Sequence, residues 1–262
     1  MDKRLDVLVS EKLSVSREYA KEIILAGKCK IGDKTLAKPG MKIPENLNLS
    51  IDANPLQFVS RGGLKLAKAL EVFDITLQSA LCLDVGASTG GFTDCMLQSG
   101  AKSVIALENG TNQLHPSLRD DPRVISMENT EIRAIKPNEI AFLPQFIAVD
   151  ISFISLSLVI PKITELLHES GKVVFLIKPQ FEVGKGGVSK RGVVREPKVH
   201  MEIINKLCSD LQKAGLMPSG LDFSPITGQN GNREYLLLAI KSKIATTTIN
   251  VEKVVKAAFV EL

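Results

Sequence analysis

Apolar runs in this 262-residue chain end repeatedly on a charged residue, and those endings are where chemistry could be done. LCLD stops at Asp84, KSVIALE at Glu108, FIAVD at Asp150 and VVFLIK at Lys178, where Pro179 halts the strand. Glu234 opens a further apolar run, EYLLLAI. After Asp84 comes a loop of small residues, Gly86, Ala87, Ser88, Gly90 and Gly91, and then TDCML at helical spacing. That order predicts strand, tight turn and helix N-terminus. Glycines there let backbone approach a ligand closely, and the helix start offers unpaired N–H donors. Glu108 lies 22 residues beyond Gly86, the distance at which dinucleotide-type folds grip ribose hydroxyls. The loop is neither G-x-G-x-x-G nor G-x-x-x-x-G-K-[ST]. It fits a nucleoside site without a phosphate clamp, and S-adenosyl-L-methionine is the cofactor expected there.

The same loop satisfies G-x-S-x-G through Gly86, Ser88 and Gly90, the nucleophile elbow of α/β-hydrolases. A hydrolase needs a histidine in a loop after a late strand. His115 precedes a proline, His168 ends an amphipathic stretch and His200 falls inside a predicted helix. The hydrolase therefore stands only as an alternative.

Strands are expected over 81–85, 102–108, 123–127, 145–150, 172–178, 220–224 and 234–240, with helices between them. This alternation predicts a doubly wound α/β sheet. Ligands in such sheets bind beyond the carboxyl ends of the strands, so Asp150 and Lys178 should lie beside the glycine loop. The last strand follows a short turn and is expected to run antiparallel, which brings Glu234 to the same edge. Lys65, on a helix through VSRGGLKLAKALEVF, can reach over that edge.

Residues 1–52 read as a small separate module, with two helices (RLDVLVSEKL, and SREYAKEIILAG with Ser16 as N-cap), a hairpin at Gly32-Asp33 and a strand at 47–51. Residues 1–68 hold 13 Lys/Arg against 8 Asp/Glu, whereas the remainder holds 20 against 21. All the excess positive charge sits in the first quarter, a footprint for a polyanion. No stretch approaches the roughly 18 apolar residues of a membrane span. Four scattered cysteines without a C-x-x-C pair suit a reducing cytoplasm, and no metal site is expected. Residues 53–59 read as a linker, 60–243 as the main domain, and 244–262 as a threonine-rich spacer and a C-terminal helix.

The N-terminal module resembles the S4 RNA-binding domain through Arg4-Leu5-Asp6, Ser16-Arg17, Ala20, Ile24, Gly27 and Lys38-Pro39-Gly40. Lys65, Asp150, Lys178 and Glu234, in that order, resemble the K-D-K-E tetrad of FtsJ-type 2′-O-ribose methyltransferases. VSRGGLKL, CLDVGASTGGFTD, DISFISL, LIKPQFEVGKG and GNREYLL resemble the TlyA family, which joins an S4 domain to an FtsJ-like methyltransferase. The resemblance implies a Rossmann-like methyltransferase sheet and S-adenosyl-L-methionine-dependent 2′-O-methylation of cytidine in ribosomal RNA. Members also carry the name hemolysin, and a membrane-active protein or a non-catalytic RNA binder are the alternatives. Two positions depart from the family pattern. Glu108 stands where Asp is commoner, and Pro116 where a bulky residue is usual.

The cofactor set is then Asp84, Gly86, Ala87, Ser88, Gly90, Gly91, Phe92, Glu108 and Asn129. Lys178 can take the proton of a ribose hydroxyl only when uncharged, and burial beside a second cation, Lys65, would favour that form. Asp150 and Glu234 would hold the ammonium groups and orient the hydroxyl. The long segment 179–198, with five Lys/Arg, reads as a substrate clamp. The RNA-binding set is Arg4, Arg17, Lys21, Lys28, Lys30, Arg61, Lys185, Lys190, Arg191 and Arg195, and the expected partner is ribosomal RNA or a ribosomal subunit.

Overall fold

The computed structural model describes the chain apart from residues 1, 14, 16, 53–56, 185–186, 190 and 243–248, and apart from the side chains at 18 and 22. Ser16, Lys185, Lys190, most of the expected linker and the threonine spacer therefore lie outside the described residues. The chain divides into two compact units, Met1–Gly63 and Leu64–Leu262.

In the first unit, β1 (Asp2–Arg4) leads directly into α1 (Leu5–Leu13), followed by α2 (Arg17–Leu25). Four short strands come next: β2 (Cys29–Ile31), β3 (Lys34–Leu36), β4 (Lys42–Pro44) and β5 (Ser50–Ile51). Strand β2 pairs antiparallel with both β3 and β5, and β1 pairs with β4, Asp2 opposite Pro44. Arg4 thus belongs to a strand, not to the first helix as its sequence suggests. Leu5, Leu8 and Val9 of α1 bury against Ala20, Ile23 and Ile24 of α2. Each such burial contributes roughly 1.5–3 kcal/mol for the larger side chains.

The second unit begins on α3 (Gly62–Val72), which straddles the division, and alternates strand and helix thereafter. Its elements are β6 (Leu81–Val85), α4 (Gly91–Gln98), β7 (Ser103–Leu107), α5 (Pro116–Arg119), β8 (Val124–Met127) and β9 (Phe146–Val149). Then come α6 (Ile160–Leu166), β10 (Lys172–Ile177), α7 (Pro179–Glu182), α8 (Pro197–Lys213), β11 (Leu216–Phe223), β12 (Tyr235–Lys241) and α9 (Val251–Glu261). One seven-stranded sheet results, ordered β11-β12-β10-β9-β6-β7-β8. The strands β6, β7, β9 and β10 are almost wholly apolar because helices cover both faces of a parallel sheet.

The connections diverge on either side of β6 and β9, which pair in parallel, and a crevice opens at the carboxyl ends of those two strands. Strand β12 enters antiparallel between β10 and β11, with Tyr235 opposite Ile177. Its first residues therefore face the last residues of β10. That register brings Glu234 to the edge where Lys178 ends its strand.

Candidate active site

Asp84 stands fully buried at the end of β6, one turn beneath the glycine loop. Thr93 at the start of α4 donates to its Oδ2 twice, from the backbone N at 2.8 Å and from Oγ1 at 2.7 Å. Its Oδ1 has no hydrogen-bond partner. Burial pushes this carboxyl up to about 7; Thr93 opposes that rise, and the nearby Asp150 and Glu108 carboxylates add to it. Gly86 follows with φ +87, and a Cβ there would run into the backbone carbonyl of Asp150. Only glycine lets β6 and the end of β9 lie this close.

Glu108, just past β7, is held by two backbone donors. Ser88 N–H reaches its Oε2 at 2.9 Å and Gly110 N–H its Oε1 at 2.7 Å. Each carboxylate oxygen keeps a further acceptor site. A cleft of about 730 Å³ opens here, lined among others by Gly86, Ser88, Glu108, Asp150 and Phe153. Its volume falls in the range of cofactor sites, roughly 300–1,000 Å³. A buried acid with an idle oxygen, a glycine cradle and a carboxylate on the wall suit a nucleoside that also carries positive charge.

Of the loop residues expected to bind cofactor, Gly86 and Ser88 line the cleft, whereas Ala87, Gly90, Gly91 and Phe92 are buried behind them. Asn129 is exposed in a left-handed turn, φ 53, with its N–H on the Gly110 carbonyl. The wall beyond it is formed by Thr130 to Arg133. Pro116 opens the short helix α5, and the cleft lining does not include it.

The tetrad expected from sequence forms two ion pairs. Lys65 Nζ lies 2.5 Å from Glu234 Oε2, and Lys178 Nζ lies 2.5 Å from Asp150 Oδ1. Lys178 also donates to Ser152 Oγ at 2.9 Å. Each lysine is thus matched to its own carboxylate, Glu234 for Lys65 and Asp150 for Lys178. Gly228 packs on the first pair so closely that a Cβ would meet Glu234 Oε1.

Sequence reasoning missed Ser152, Gly228 and Phe153. Phe153 is 89% exposed with φ +66 and rests on Phe181, ring centroids 5.0 Å apart. Its position inside the apolar run DISFISL hid it among core-type residues. Ser88 shows no hydrolase arrangement: its Oγ donates to Gln113, while His115, His168 and His200 bond Ser117, the Glu169 carbonyl and Tyr235 respectively.

In the first unit, Arg4 and Arg17 both grip the buried Asp6, at 2.9 and 3.1 Å, and stay about half exposed. The Arg4 guanidinium, then Arg17, hold the Asp6 carboxyl well below the usual carboxylate range, against the opposing effect of its burial. Lys28 faces Asp52 at 3.4 Å, Lys30, Arg191 and Arg195 are exposed, and Lys21 and Arg61 are partly buried.

Residues 58–241 match the model of the FtsJ-like methyltransferases. A Bacillus subtilis protein named as a candidate rRNA methyltransferase, YqxC, is 47% identical over 89% of this chain and 84% of its own. The 16S/23S rRNA (cytidine-2′-O)-methyltransferase TlyA of Mycobacterium tuberculosis is 40% identical over 88% of this chain and 86% of its own. A solved structure of a hemolysin candidate from Streptococcus thermophilus superposes with a TM-score of 0.83 and 41% identity, covering 99% of this chain and 96% of that one.

Proposed function

The chain belongs to the FtsJ-like methyltransferase family, and on that premise we propose that it methylates the ribose 2′-hydroxyl of cytidine in ribosomal RNA, using S-adenosyl-L-methionine. The observation that carries this reading is the pair of lysine–carboxylate contacts on one sheet edge, beside the cleft that Glu108 and Gly86 line. The rRNA activity named for the mycobacterial relative supports the choice of substrate.

When bound, S-adenosyl-L-methionine supplies a methyl group on a cationic sulfur. Glu108 would then accept from ribose hydroxyls, and the idle Oδ1 of Asp84 would serve donors near the loop. Ala87, Gly90, Gly91 and Phe92 shape that loop from behind. Lys178 takes the proton of the 2′-hydroxyl once it has given up its own, and Asp150 and Ser152 hold its Nζ in place. Lys65 and Glu234 brace the opposite side of the hydroxyl. Direct in-line displacement leaves most of the acceleration to positioning. Phe153, nearly fully exposed at the rim, offers its ring face to an unstacked base.

Arg4, Arg17, Lys21, Lys28 and Lys30 of the first unit, with Arg61, Lys185, Lys190, Arg191 and Arg195, supply phosphate contacts to the RNA. A ribosomal substrate puts the work in the cytoplasm. The name hemolysin belongs to relatives, and among the described residues no helix is long and apolar enough to cross a membrane.

Mapping ribose methylation on ribosomes from cells lacking the gene tests the reading. Loss of a cytidine 2′-O-methyl group, restored by the wild-type gene, is expected. Unchanged rRNA methylation overturns it.

A further inference from the structure

Glu234 sits in a closely packed stretch of the second unit. Asn232, Glu234 and Tyr235 are 3%, 2% and 0% exposed, and each neighbour of Glu234 is tied to a different element. Asn232 Nδ2 donates to the carbonyls of Gly192 and Gln229, both at 3.0 Å. Arg233 Nε donates to the Ala258 carbonyl in the last turn of α9 at 2.9 Å, and its guanidinium lies 4.1 Å over the Phe259 ring. Tyr235 OH meets His200 Nδ1 of α8 at 2.8 Å. The His200 ring, whose Nε2 lies 3.0 Å from the Val194 carbonyl, stands edge-on to Phe259 at 5.1 Å.

These contacts have physical reasons to be firm. The Ala258 carbonyl lies in the last turn of its helix, where only the C-cap Leu262 N–H reaches it, at 3.3 Å, so Arg233 adds a second, shorter donor and a cation at the negative end of the helix dipole. His200 is fully buried with both ring nitrogens occupied, Nε2–H donating to Val194 and Nδ1 accepting from Tyr235. Val255 and Ala258 bury the inner face of α9 completely. The helix lies beyond the residues that match the family model, 58–241, yet it holds Arg233, the residue immediately before the tetrad carboxylate.

We propose that helix α9, together with His200, is the positioning element of Glu234: it fixes the residues on both sides of that carboxylate and thereby fixes its pairing with Lys65. Arg233, Tyr235, His200 and Phe259 are positioning residues, and their effect on transfer rests on the tetrad reading above. A buried ion pair is favourable only when its geometry is nearly ideal, so slack in either flank weakens it.

The test is steady-state methylation of ribosomal RNA by the full chain, with S-adenosyl-L-methionine binding followed by calorimetry. Phe259→Ala should lower kcat roughly tenfold or more, as small misplacements of reacting groups do. KM for RNA and the cofactor Kd should stay within about twofold, since neither ligand site is touched. Phe259→Tyr, which keeps a ring under Arg233, should restore kcat. Arg233→Met removes the same anchor without thinning the buried face of α9, and it carries the test if Phe259→Ala does not fold. Glu234→Gln separates the two readings. If Glu234→Gln is inactive while Arg233→Met and Phe259→Ala turn over normally, the positioning role is overturned; if Glu234→Gln itself is fully active, the tetrad reading fails first and the positioning role falls with it.

Discussion

The two lysine–carboxylate pairs of the second unit have the same separation, 2.5 Å, and equally buried lysines, but their carboxylates differ in exposure. In the first, Lys65 and Glu234 are 11% and 3% exposed, with Gly228 pressed against the carboxylate. In the second, Lys178 is 12% exposed but Asp150 is 21%, and Asp150 lines the cleft beside Ser152 and Phe153. A closed pair cannot exchange partners without unpairing a charge in low dielectric, so it braces. An open pair can trade its ion contact for a substrate hydroxyl. On the proposed mechanism the contrast gives the two lysines different roles, Lys178 moving a proton and Lys65 holding position.

Breaking the pairs one at a time gives the largest expected difference. Glu234→Ala leaves Lys65 a buried cation without a counter-charge and should cost about 3–5 kcal/mol of stability. Asp150→Ala leaves Lys178 with Ser152 as a partner beside the cleft and should cost less, about 1–3 kcal/mol, while methyl transfer collapses. Urea unfolding of the two variants measures the contrast, and equal losses would erase it.

Asp84 shows what burial does to a carboxyl that has no lysine. Its folded-state value, about 7, lies above the ordinary 3.8. The unfolded chain therefore ionises first, and the stability this group contributes is full below about pH 4 and is lost as pH rises through about 7. Asp84→Asn keeps the acceptor for Thr93 but cannot titrate. The stability of wild type relative to this variant should fall by roughly 2–4 kcal/mol between pH 4 and pH 8. A difference that stays flat with pH would mean that Asp84 is ionised throughout.

Gly228→Ala disturbs the closed pair without removing either charge. The added methyl group displaces Glu234 Oε1, the free end of a side chain, so the fold should survive with a loss of about 1 kcal/mol while methyl transfer drops roughly tenfold. Full activity in this variant would show that the carboxylate tolerates movement.

How much of this was legible in the sequence follows from where the information lies. Asp84, Glu108, Asp150 and Lys178 could be placed because buried parallel strands read as unbroken apolar runs, and a charge at the end of one marks the sheet edge. Glu234 could be placed only by assuming that β12 runs antiparallel, and the register of Tyr235 against Ile177 bears that out. Which carboxylate each lysine takes depends on that register and on the tilt of α3, neither of which any local pattern encodes. Strands β1 and β4, three residues each, are too short to show alternation. Asn129 and Thr130 differ by one residue, and the left-handed turn at Asn129 decides which of them faces the cleft. The grip of Arg4 and Arg17 on Asp6 joins residues that look like independent surface charges in the sequence.

The central claim is that Lys178 accepts the proton of the ribose hydroxyl and does more than present a positive charge. Single-turnover methyl transfer by Lys178→Arg, with cofactor binding followed by calorimetry on the same preparation, tests it most directly. A guanidinium keeps the charge beside Asp150 but does not deprotonate near neutral pH. The prediction is an S-adenosyl-L-methionine Kd within about twofold of wild type and transfer slowed by roughly a hundredfold or more, nearly as far as in Lys178→Ala. Transfer by Lys178→Arg at close to the wild-type rate would contradict the claim and leave the proton to water or to another group.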